Sequence, residues 1–345
     1  MSNDEILFDR RGAAGVVTLN RPAALNAVTH GMVRALRAQL EEWRDDPAVT
    51  RVVVMAAGER AFSAGGDLRD IYALGRAGRF EEALTFWRDE YALNAAIKHY
   101  PKPYVALIDG IVMGGGVGVS IHGSHRVAGD RYQFAMPEVG IGFFPDVGAT
   151  WFLPRLPGEL GAWCALTADR IRAPDAVAAQ VATHRVRSDR FAALVDALTG
   201  TVSVDAVLAA FAEPREEGSV SALRATIDRH FVADTVEDIL GHLDADRAPT
   251  SQTMAAAIRA KAPLSHKIAL AQVRRGRAWS FDDCMRAEFR IVSRVVRGED
   301  FYEGVRAVII DKDNAPRWRP ATLAAVDTTQ VERHFAPLDR ELILQ

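Results

Sequence analysis

Two glycine-dense loops, each directly after a short apolar run, constrain the fold of this chain more than any other feature. They occupy residues 61–67 (AFSAGGD) and 113–120 (MGGGVGVS). A helix-like stretch follows each loop, so backbone N–H groups lie near a helix N-terminus, where they can bind negative charge. Small residues also permit tight turns, and the first loop alone does not decide between the two interpretations. Together, the loops could direct one N–H each at a single oxygen atom and form an oxyanion hole.

Two other common uses of glycine-rich loops do not fit this sequence. A dinucleotide-binding loop has the spacing GxGxxG, but the third glycine counted from Gly116 and Gly118 would fall on Ile121. A serine-hydrolase elbow has the spacing GxSxG, whereas Ser120 lies in the sequence GVSIH. The sequence therefore disfavours both a dinucleotide site and a serine nucleophile.

Strands and helices alternate around the two loops. Hydrophobic spacing predicts strands at residues 6–8, 16–19, 51–55 and 104–108, and helices at 30–43 and 80–99. These repeated β-β-α units predict an α/β core over residues 1–200. Alanine- and leucine-rich stretches with helical spacing then predict a mainly helical C-terminal region over residues 201–345.

Composition and charge exclude several classes of function. Lys and Arg number 42 against 45 Asp and Glu, so no excess of positive charge favours a nucleic-acid partner. Cys164 and Cys284 lack CxxC spacing, and we expect both in the core of a protein from a reduced compartment. His122 and His125 form an HxxH pair without the i,i+4 geometry of a zinc helix, so we expect no metal.

The start of the sequence and its hydropathy bear on location. Residues 1–12 (MSNDEILFDRRG) are polar and acidic, unlike a secretory signal, and no apolar run approaches the roughly 20 residues that span a bilayer. We therefore expect a cytoplasmic protein that does not enter a membrane.

The two loops, together with residues 134–142 (FAMPEVGIG), resemble the signature segments of the crotonase (enoyl-CoA hydratase/isomerase) superfamily. The resemblance implies a spiral of β-β-α units that binds an acyl-CoA thioester, with coenzyme A as part of the substrate and no separate cofactor. It further implies an oxyanion hole formed by the N–H groups of Ala64 and Gly115. The substrate contacts that it implies in the two loops are Phe62, Gly66, Asp67, Leu68 and Gly114.

One departure from the hydratases of this superfamily is informative. They carry a glutamate two residues after the glycine triplet, where this chain has Gly118. The second hydratase carboxylate is matched by Glu138, and Asp146 stands where hydratases usually have glycine. Hydration needs one group to activate water and another to manage the proton at the α-carbon, a division that one carboxylate supports poorly. Simple hydration is therefore disfavoured.

Glu138 and Asp146 would suit hydrolysis of a thioester whose oxygen is held by N–H donors. Glu138 could activate water or attack the carbonyl itself, while Asp146 positions the water or the partner acid. The sequence leaves both routes open. It also leaves open a structural role, in which Glu138 caps the following turn and Asp146 begins the next helix.

Further segments resemble the 3-hydroxyisobutyryl-CoA hydrolase branch of the superfamily: residues 144–148, 152–156, 300–313 and 316–320. The branch implies hydrolysis of 3-hydroxyisobutyryl-CoA to the hydroxy acid and CoA in valine breakdown, with Glu90 near the substrate. Crotonase relatives also imply a trimer or hexamer. Two other functions stay open: an enoyl-CoA hydratase or isomerase that uses Glu138 alone, and a non-catalytic acyl-CoA-binding scaffold.

Overall fold

The structure, a computed structural model, describes residues 4–344. Over this range the strands are β1 (Ile6–Arg11), β2 (Ala14–Leu19), β3 (Arg51–Ala56), β4 (Ala61–Ser63), β5 (Tyr104–Ile108), β6 (Ile111–Met113), β7 (His125–Ala128), β8 (Gln133–Ala135), β9 (Ile171–Arg172) and β10 (His184–Arg185). The α-helices of the first 200 residues are α1 (His30–Asp45), α2 (Leu68–Arg76), α3 (Phe80–Lys98), α4 (Gly115–Gly118), α5 (Ala149–Phe152), α6 (Leu160–Thr167), α7 (Ala173–Ala176) and α8 (Phe191–Leu198).

Helices dominate the rest of the chain. They are α9 (Val204–Phe211), α10 (Ser219–His230), α11 (Val236–Asp246), α12 (Pro249–Arg259), α13 (Pro263–Gly276), α14 (Phe281–Val295), α15 (Asp300–Val305) and α16 (Thr328–Phe335). A π-helical turn, Arg306–Ile310, follows α15 directly.

The strands form two sheets, and from β3 to β8 the two strands of each β-β unit belong to different sheets. The larger sheet has the order β1-β2-β3-β5-β7-β10, and the smaller has the order β4-β6-β8-β9. Only the edge pairs β1–β2 and β8–β9 are antiparallel among the described ladders. Because β3, β5 and β7 each pass their chain to a strand of the smaller sheet, the structure confirms the predicted spiral of β-β-α units.

The central strands β2, β3 and β5 are buried on both faces of the larger sheet, which explains why they read as continuous apolar runs. Successive side chains of β3 alternate between two hydrophobic clusters: Val52 and Val54 join the main core, while Val53 joins a second cluster under α8 and α9. On the face of the sheet that carries the main hydrophobic cluster, α1 buries its apolar stripe, and α3 packs against α1. The predicted hairpin, strands and two helices are confirmed.

The C-terminal helices complete the core of the first half. Helix α14 packs on α3, and α13 packs on α6, so the main hydrophobic cluster contains residues from both halves of the chain. Phe301, for example, contacts Trp87 with ring centroids 6.0 Å apart. A division of the chain at residue 200 stays a prediction.

Other sequence-based expectations concern cysteines and membranes. Cys164 and Cys284 are both buried and free, as predicted for core residues. Within residues 4–344, no helix combines the length and the apolar character needed to cross a membrane. The same range contains no group of three or more His, Cys, Asp or Glu side chains arranged to hold a metal ion.

Candidate active site

A cavity of about 690 Å³ lies where the two glycine loops meet the segment that begins at Pro137. Its lining residues are Leu25, Ala64, Gly65, Gly66, Leu68, Phe86, Trp87, Glu90, Gly114, Gly115, Pro137, Glu138, Gly140, Ile141, Phe143, Asp146, Thr167, Ala168, Lys261, Val308 and Ile309. The wall is therefore mainly apolar, with three carboxylates and one lysine. The cavity brings together most of the site residues predicted from the sequence.

The two loops approach each other so closely that side chains are excluded at the contact. A Cβ atom at Gly115 would lie 2.7 Å from Glu90 Oε1 and 3.3 Å from the backbone nitrogen of Gly66. A Cβ atom at Gly114, whose φ is +47°, would lie 3.2 Å from Gly65 Cα and 3.4 Å from Glu138 Oε1. Glycine is needed here because the backbones and two carboxylates occupy the space.

The predicted oxyanion hole requires one correction. The N–H of Ala64 donates to the carbonyl of Leu25 at 3.0 Å, so it is not available to a substrate oxygen. The β-bridge between Val28 and Gly66 is formed by hydrogen bonds from the N–H groups of Val28 and Asp67. The N–H of Gly66 takes no part in it. Gly66 and Gly115 are therefore the neighbouring donors of the two loops.

Gly115 is the first residue of α4. The N–H groups in the first turn of a helix have no carbonyl partner within that helix. The N–H of Gly115 therefore points away from α4. The sequence predicts Gly66 as a substrate contact and predicts Ala64, rather than Gly66, as a donor to the thioester oxygen. The sequence gives no direct signal for the distinction, because the Leu25 carbonyl that binds the Ala64 N–H belongs to a distant turn.

Glu138 and Asp146 both reach the cavity with little solvent contact, at 6% and 4% exposure. Glu138 begins a 3₁₀ turn, Glu138–Ile141, and its Oε2 has no hydrogen-bond partner among the described residues. Asp146 accepts a hydrogen bond from the hydroxyl of Tyr91 at 2.8 Å. Neither side chain caps a helix, since the N-cap of α5 is Gly148 and that of the turn is Pro137.

Space at Gly118 explains why the hydratase glutamate has no counterpart here. A Cβ atom at Gly118 would lie 2.8 Å from Asn94 Nδ2 and 2.9 Å from Val147 Cβ. Val147 has a φ of +52° and directly follows Asp146. The loop that carries Asp146 therefore fills the position that a longer side chain on α4 would need.

Four buried carboxylates share the region of the cavity, and their mutual repulsion adds to the effect of burial. Burial, followed by the charge of Asp146, raises the pKa of Glu90 and that of Glu138 well above the ordinary range. Burial raises the pKa of Asp146 to about 7, although the Tyr91 hydrogen bond opposes the shift. Such displaced carboxyl groups are typical of acid–base sites.

The fourth carboxylate, Glu288, was missed from the sequence. It lies on α14, is fully buried, and accepts hydrogen bonds from the N–H groups of Gly148 at 2.7 Å and Thr150 at 2.8 Å. It therefore fixes the backbone that follows Asp146. Its helical spacing with the buried residues Cys284 and Ile291 was a usable signal, because a charged residue on an apolar face is rarely buried without a partner.

We expect Glu288 to make stability depend on pH. Burial, then the charge of Asp146, raises the pKa of Glu288 from 4.5 to about 8. Between these values the folded protein keeps a proton that the unfolded chain releases, so the free energy of unfolding should fall by about 1.4 kcal/mol per pH unit. Urea unfolding of wild type and Glu288→Gln from pH 5 to 8 should show a shallower decline in the variant. Parallel declines would contradict this expectation.

Two predicted substrate contacts lie outside the cavity wall. The side chain of Phe62 is fully buried in the main hydrophobic cluster, because β4 directs it into the core. Asp67 forms an ion pair with Arg21 at 2.9 Å and is absent from the cavity lining. Leu68, Gly66, Gly114 and Glu90 do line the cavity.

Comparisons with known proteins bear on the family of this chain. A sequence profile of the enoyl-CoA hydratase/isomerase family matches residues 14–335. The mitochondrial 3-hydroxyisobutyryl-CoA hydrolase of Danio rerio is 43% identical over 98% of this chain and 91% of its own length. The Homo sapiens protein of the same name is 41% identical over 97% of this chain and 89% of its own.

Two solved structures share nearly the whole fold. A carnitinyl-CoA dehydratase from Mycobacterium thermoresistibile superposes with a TM-score of 0.95 at 43% identity, covering 99% of both chains. An enoyl-CoA hydratase from Rhodobacter sphaeroides 2.4.1 gives a TM-score of 0.93 at 38% identity, covering 99% of this chain and 100% of the other.

The relatives also bear on location and family. Both hydrolases are named mitochondrial, so the cytoplasmic location expected from the sequence is wrong. The expectation failed because a polar start and missing apolar runs argue only against secretion and membrane spanning. The superfamily predicted from the glycine loops is confirmed by the profile match and by the relatives. The chain belongs to the enoyl-CoA hydratase/isomerase family.

Proposed function

We propose that this chain hydrolyses the thioester of 3-hydroxyisobutyryl-CoA to 3-hydroxyisobutyrate and CoA, a step of valine breakdown. The observation that carries the proposal is the pair of buried acids, Glu138 and Asp146, on a cavity that also contains both glycine loops. Gly118 leaves no carboxylate on α4, which favours hydrolysis over hydration. The names of relatives that are about two-fifths identical over nearly the whole chain support the same activity.

The proposed reaction begins when the thioester oxygen accepts hydrogen bonds from the N–H groups of Gly66 and Gly115. These donors stabilise the negative charge that develops on the oxygen as the carbonyl carbon is attacked. Either a water molecule adds to that carbon and gives its proton to Glu138, or Glu138 attacks directly and water later cleaves the resulting anhydride. In both routes the carbon–sulfur bond breaks, and the thiolate of CoA takes up a proton from the site.

Asp146 acts beside Glu138 in this scheme. Its Oδ2 is held by the Tyr91 hydroxyl, and the Glu288 contacts fix the next residues of the loop. The fixed carboxylate can orient the water or hold the proton that Glu138 releases. Burial, followed by the charge of Asp146, raises the pKa of Glu138, so a proton on one acid makes the other easier to ionise.

Glu90 is proposed to recognise the hydroxyl of the acyl group. Its Oε1 is buried on the cavity wall beside Gly115 and has no hydrogen-bond partner among the residues described. A substrate hydroxyl would supply the missing partner. Trp87 and Phe143 stack at 5.6 Å with an interplanar angle of 18° and provide an apolar wall for a short branched acyl chain.

Thiol release from two substrates tests the proposed acyl group. We expect kcat/KM for 3-hydroxyisobutyryl-CoA to exceed that for isobutyryl-CoA, which lacks the hydroxyl, by about tenfold to a hundredfold, because a buried polar group left unpaired costs about 1–3 kcal/mol. Glu90→Gln should reduce that preference. Equal rates for the two substrates would contradict recognition of the hydroxyl.

A second candidate activity is hydration or dehydration of an acyl-CoA, which the names of the two proteins of known structure suggest. The crowding at Gly118 argues against it, since the site lacks the acid that hydratases place there. An isomerase using Glu138 alone and a non-catalytic acyl-CoA scaffold are the remaining alternatives. Wild-type protein that consumes crotonyl-CoA without releasing thiol would favour the hydratase. Assembly into trimers or hexamers stays a prediction.

A further inference from the structure

A second cavity, of about 480 Å³, lies at the C-terminal end of α3 and shares no lining residue with the substrate cavity. Its lining residues are Ile97, Lys98, Tyr100, Lys102, Tyr104, Ile121, His122, Gly123, Ser124, Arg126, Trp151, Phe152, Arg155, Leu156 and Gln180. Four of these are lysine or arginine, and none is aspartate or glutamate. The lining therefore has a strong positive charge.

In the part of the chain that the structure describes, none of the four cations of this cavity forms an ion pair or a hydrogen bond with a carboxylate. Lys102 and Arg126 donate only to backbone carbonyls, and so does Arg155. Lys98 contacts the face of the Trp151 ring, with Nζ 4.0 Å from the ring centre. The Arg155 guanidinium lies 4.6 Å from the centre of the same ring. Lys98 and Arg155 are thus held near one another around Trp151.

Arginines elsewhere in the protein often pair with a carboxylate. Arg274 and Arg277, for example, both form ion pairs with Glu159, at 2.7 and 2.8 Å. In the second cavity, burial and then the charges of Arg126 and Arg155 lower the pKa of Lys98. Burial also lowers the pKa of Arg126, whereas Arg155 is exposed. Partly desolvated cations such as Lys98 and Arg126 are costly unless an opposite charge is bound. The cavity therefore lacks a counter-charge that a ligand could supply.

We propose that this cavity binds a multivalent anion of the phosphate class. Lys98, Arg126 and Arg155 would supply its positive charge, and guanidinium groups match the oxygens of phosphate particularly well. The volume exceeds that of one orthophosphate, and Ile97, Phe152 and other apolar side chains form part of the wall. The site therefore suits pyrophosphate or a phosphate ester with a small organic group.

The cavity lies directly behind the loop that carries Asp146. His122, which lines the cavity, donates its Nε2 hydrogen to the carbonyl of Val147 at 2.7 Å. Trp151, which also lines the cavity, lies in α5, the helix that follows this loop. An anion bound at Lys98 would therefore lie next to residues that contact the Asp146 loop, but outside the proposed active site.

Calorimetric titration of the full chain with sodium pyrophosphate tests this proposal. Titrations run with and without excess CoA, at an ionic strength held constant with sodium chloride. We expect saturable binding of one pyrophosphate per chain, weaker binding of orthophosphate, and persistence of the pyrophosphate site when CoA is present. The absence of saturable binding, or its complete loss with excess CoA, would overturn the proposal, because the second result would assign pyrophosphate to the CoA phosphate site.

Two lysine variants locate the bound anion. Lys98→Gln should weaken pyrophosphate binding by about tenfold or more, as expected when one charged contact is lost. Lys98→Arg should retain binding, and Lys312→Gln, at an exposed lysine outside the cavity lining, should match wild type. Thermal unfolding without anion checks that each variant folds. Equal affinity of Lys98→Gln and wild type for pyrophosphate would overturn the proposal. If Lys98→Gln does not fold, the titrations of the wild-type protein alone decide between the proposal and its rejection.

Discussion

Replacing Glu138 with Gln should lower kcat for hydrolysis of 3-hydroxyisobutyryl-CoA by about 10²–10⁴-fold, the range typical of a lost general base, or by more if Glu138 is the nucleophile. The amide has nearly the shape of the carboxyl group, and Glu138 Oε2 has no partner to lose among the described residues. Binding of the acyl-CoA should therefore change little. Stopped-flow thiol release and calorimetric binding of CoA measure the two effects separately.

A matched variant distinguishes loss of chemistry from loss of structure. Glu217→Gln changes the same atoms at an exposed position outside the cavity and should keep wild-type kcat. Removing a buried carboxyl whose pKa is raised should also stabilise the Glu138→Gln fold against unfolding at neutral pH. Thiol release at the wild-type rate by Glu138→Gln would exclude Glu138 from the mechanism.

Replacing Asp146 with Asn should lower kcat by about 10²-fold or more, because the second acid can no longer orient water or hold the proton. The Tyr91 hydroxyl can still donate to the amide oxygen, so the local geometry should persist. The pH profile provides a second readout. Because burial raises the pKa of Asp146 to about 7, wild-type kcat/KM should rise with pH through the neutral range.

The Asp146→Asn substitution should move the pH profile of the residual activity in one direction only. The charge of Asp146 raises the pKa of Glu138, so its removal should lower that pKa and move the acidic limb of the residual activity to lower pH. Asp339→Asn, at an exposed aspartate, serves as the control and should keep the wild-type profile. A limb that stays in place, or that moves to higher pH, would show that the two acids do not interact as proposed.

Local sequence patterns predicted those features of the fold that depend on nearby residues. The hairpin of β1 and β2, the helices α1 and α3, and the paired glycine loops each follow from hydrophobic spacing or glycine content within a few residues. The acids Glu138 and Asp146 were identified in the same way, from one short segment that resembles a known family. The structure places both on the cavity.

Features that depend on distant residues could not be predicted. The N–H of Ala64 is occupied by the carbonyl of Leu25, which no pattern in the loop itself reveals. Glu288 reaches the loop after Asp146 from a helix in the C-terminal half. Phe62 is adjacent to site residues in sequence, yet the alternation of β4 turns its side chain into the core. Each of these outcomes depends on which chain segments pack together.

The products formed from 3-hydroxyisobutyryl-CoA distinguish the proposed hydrolysis from the hydratase alternative on a single substrate. Wild-type protein incubated with this thioester in H₂¹⁸O, followed by mass spectrometry, should yield free CoA and 3-hydroxyisobutyrate in equal amounts, with the label in the carboxylate. Formation of the α,β-unsaturated CoA thioester by loss of water, with the thioester bond intact, would contradict hydrolysis by Glu138 and Asp146.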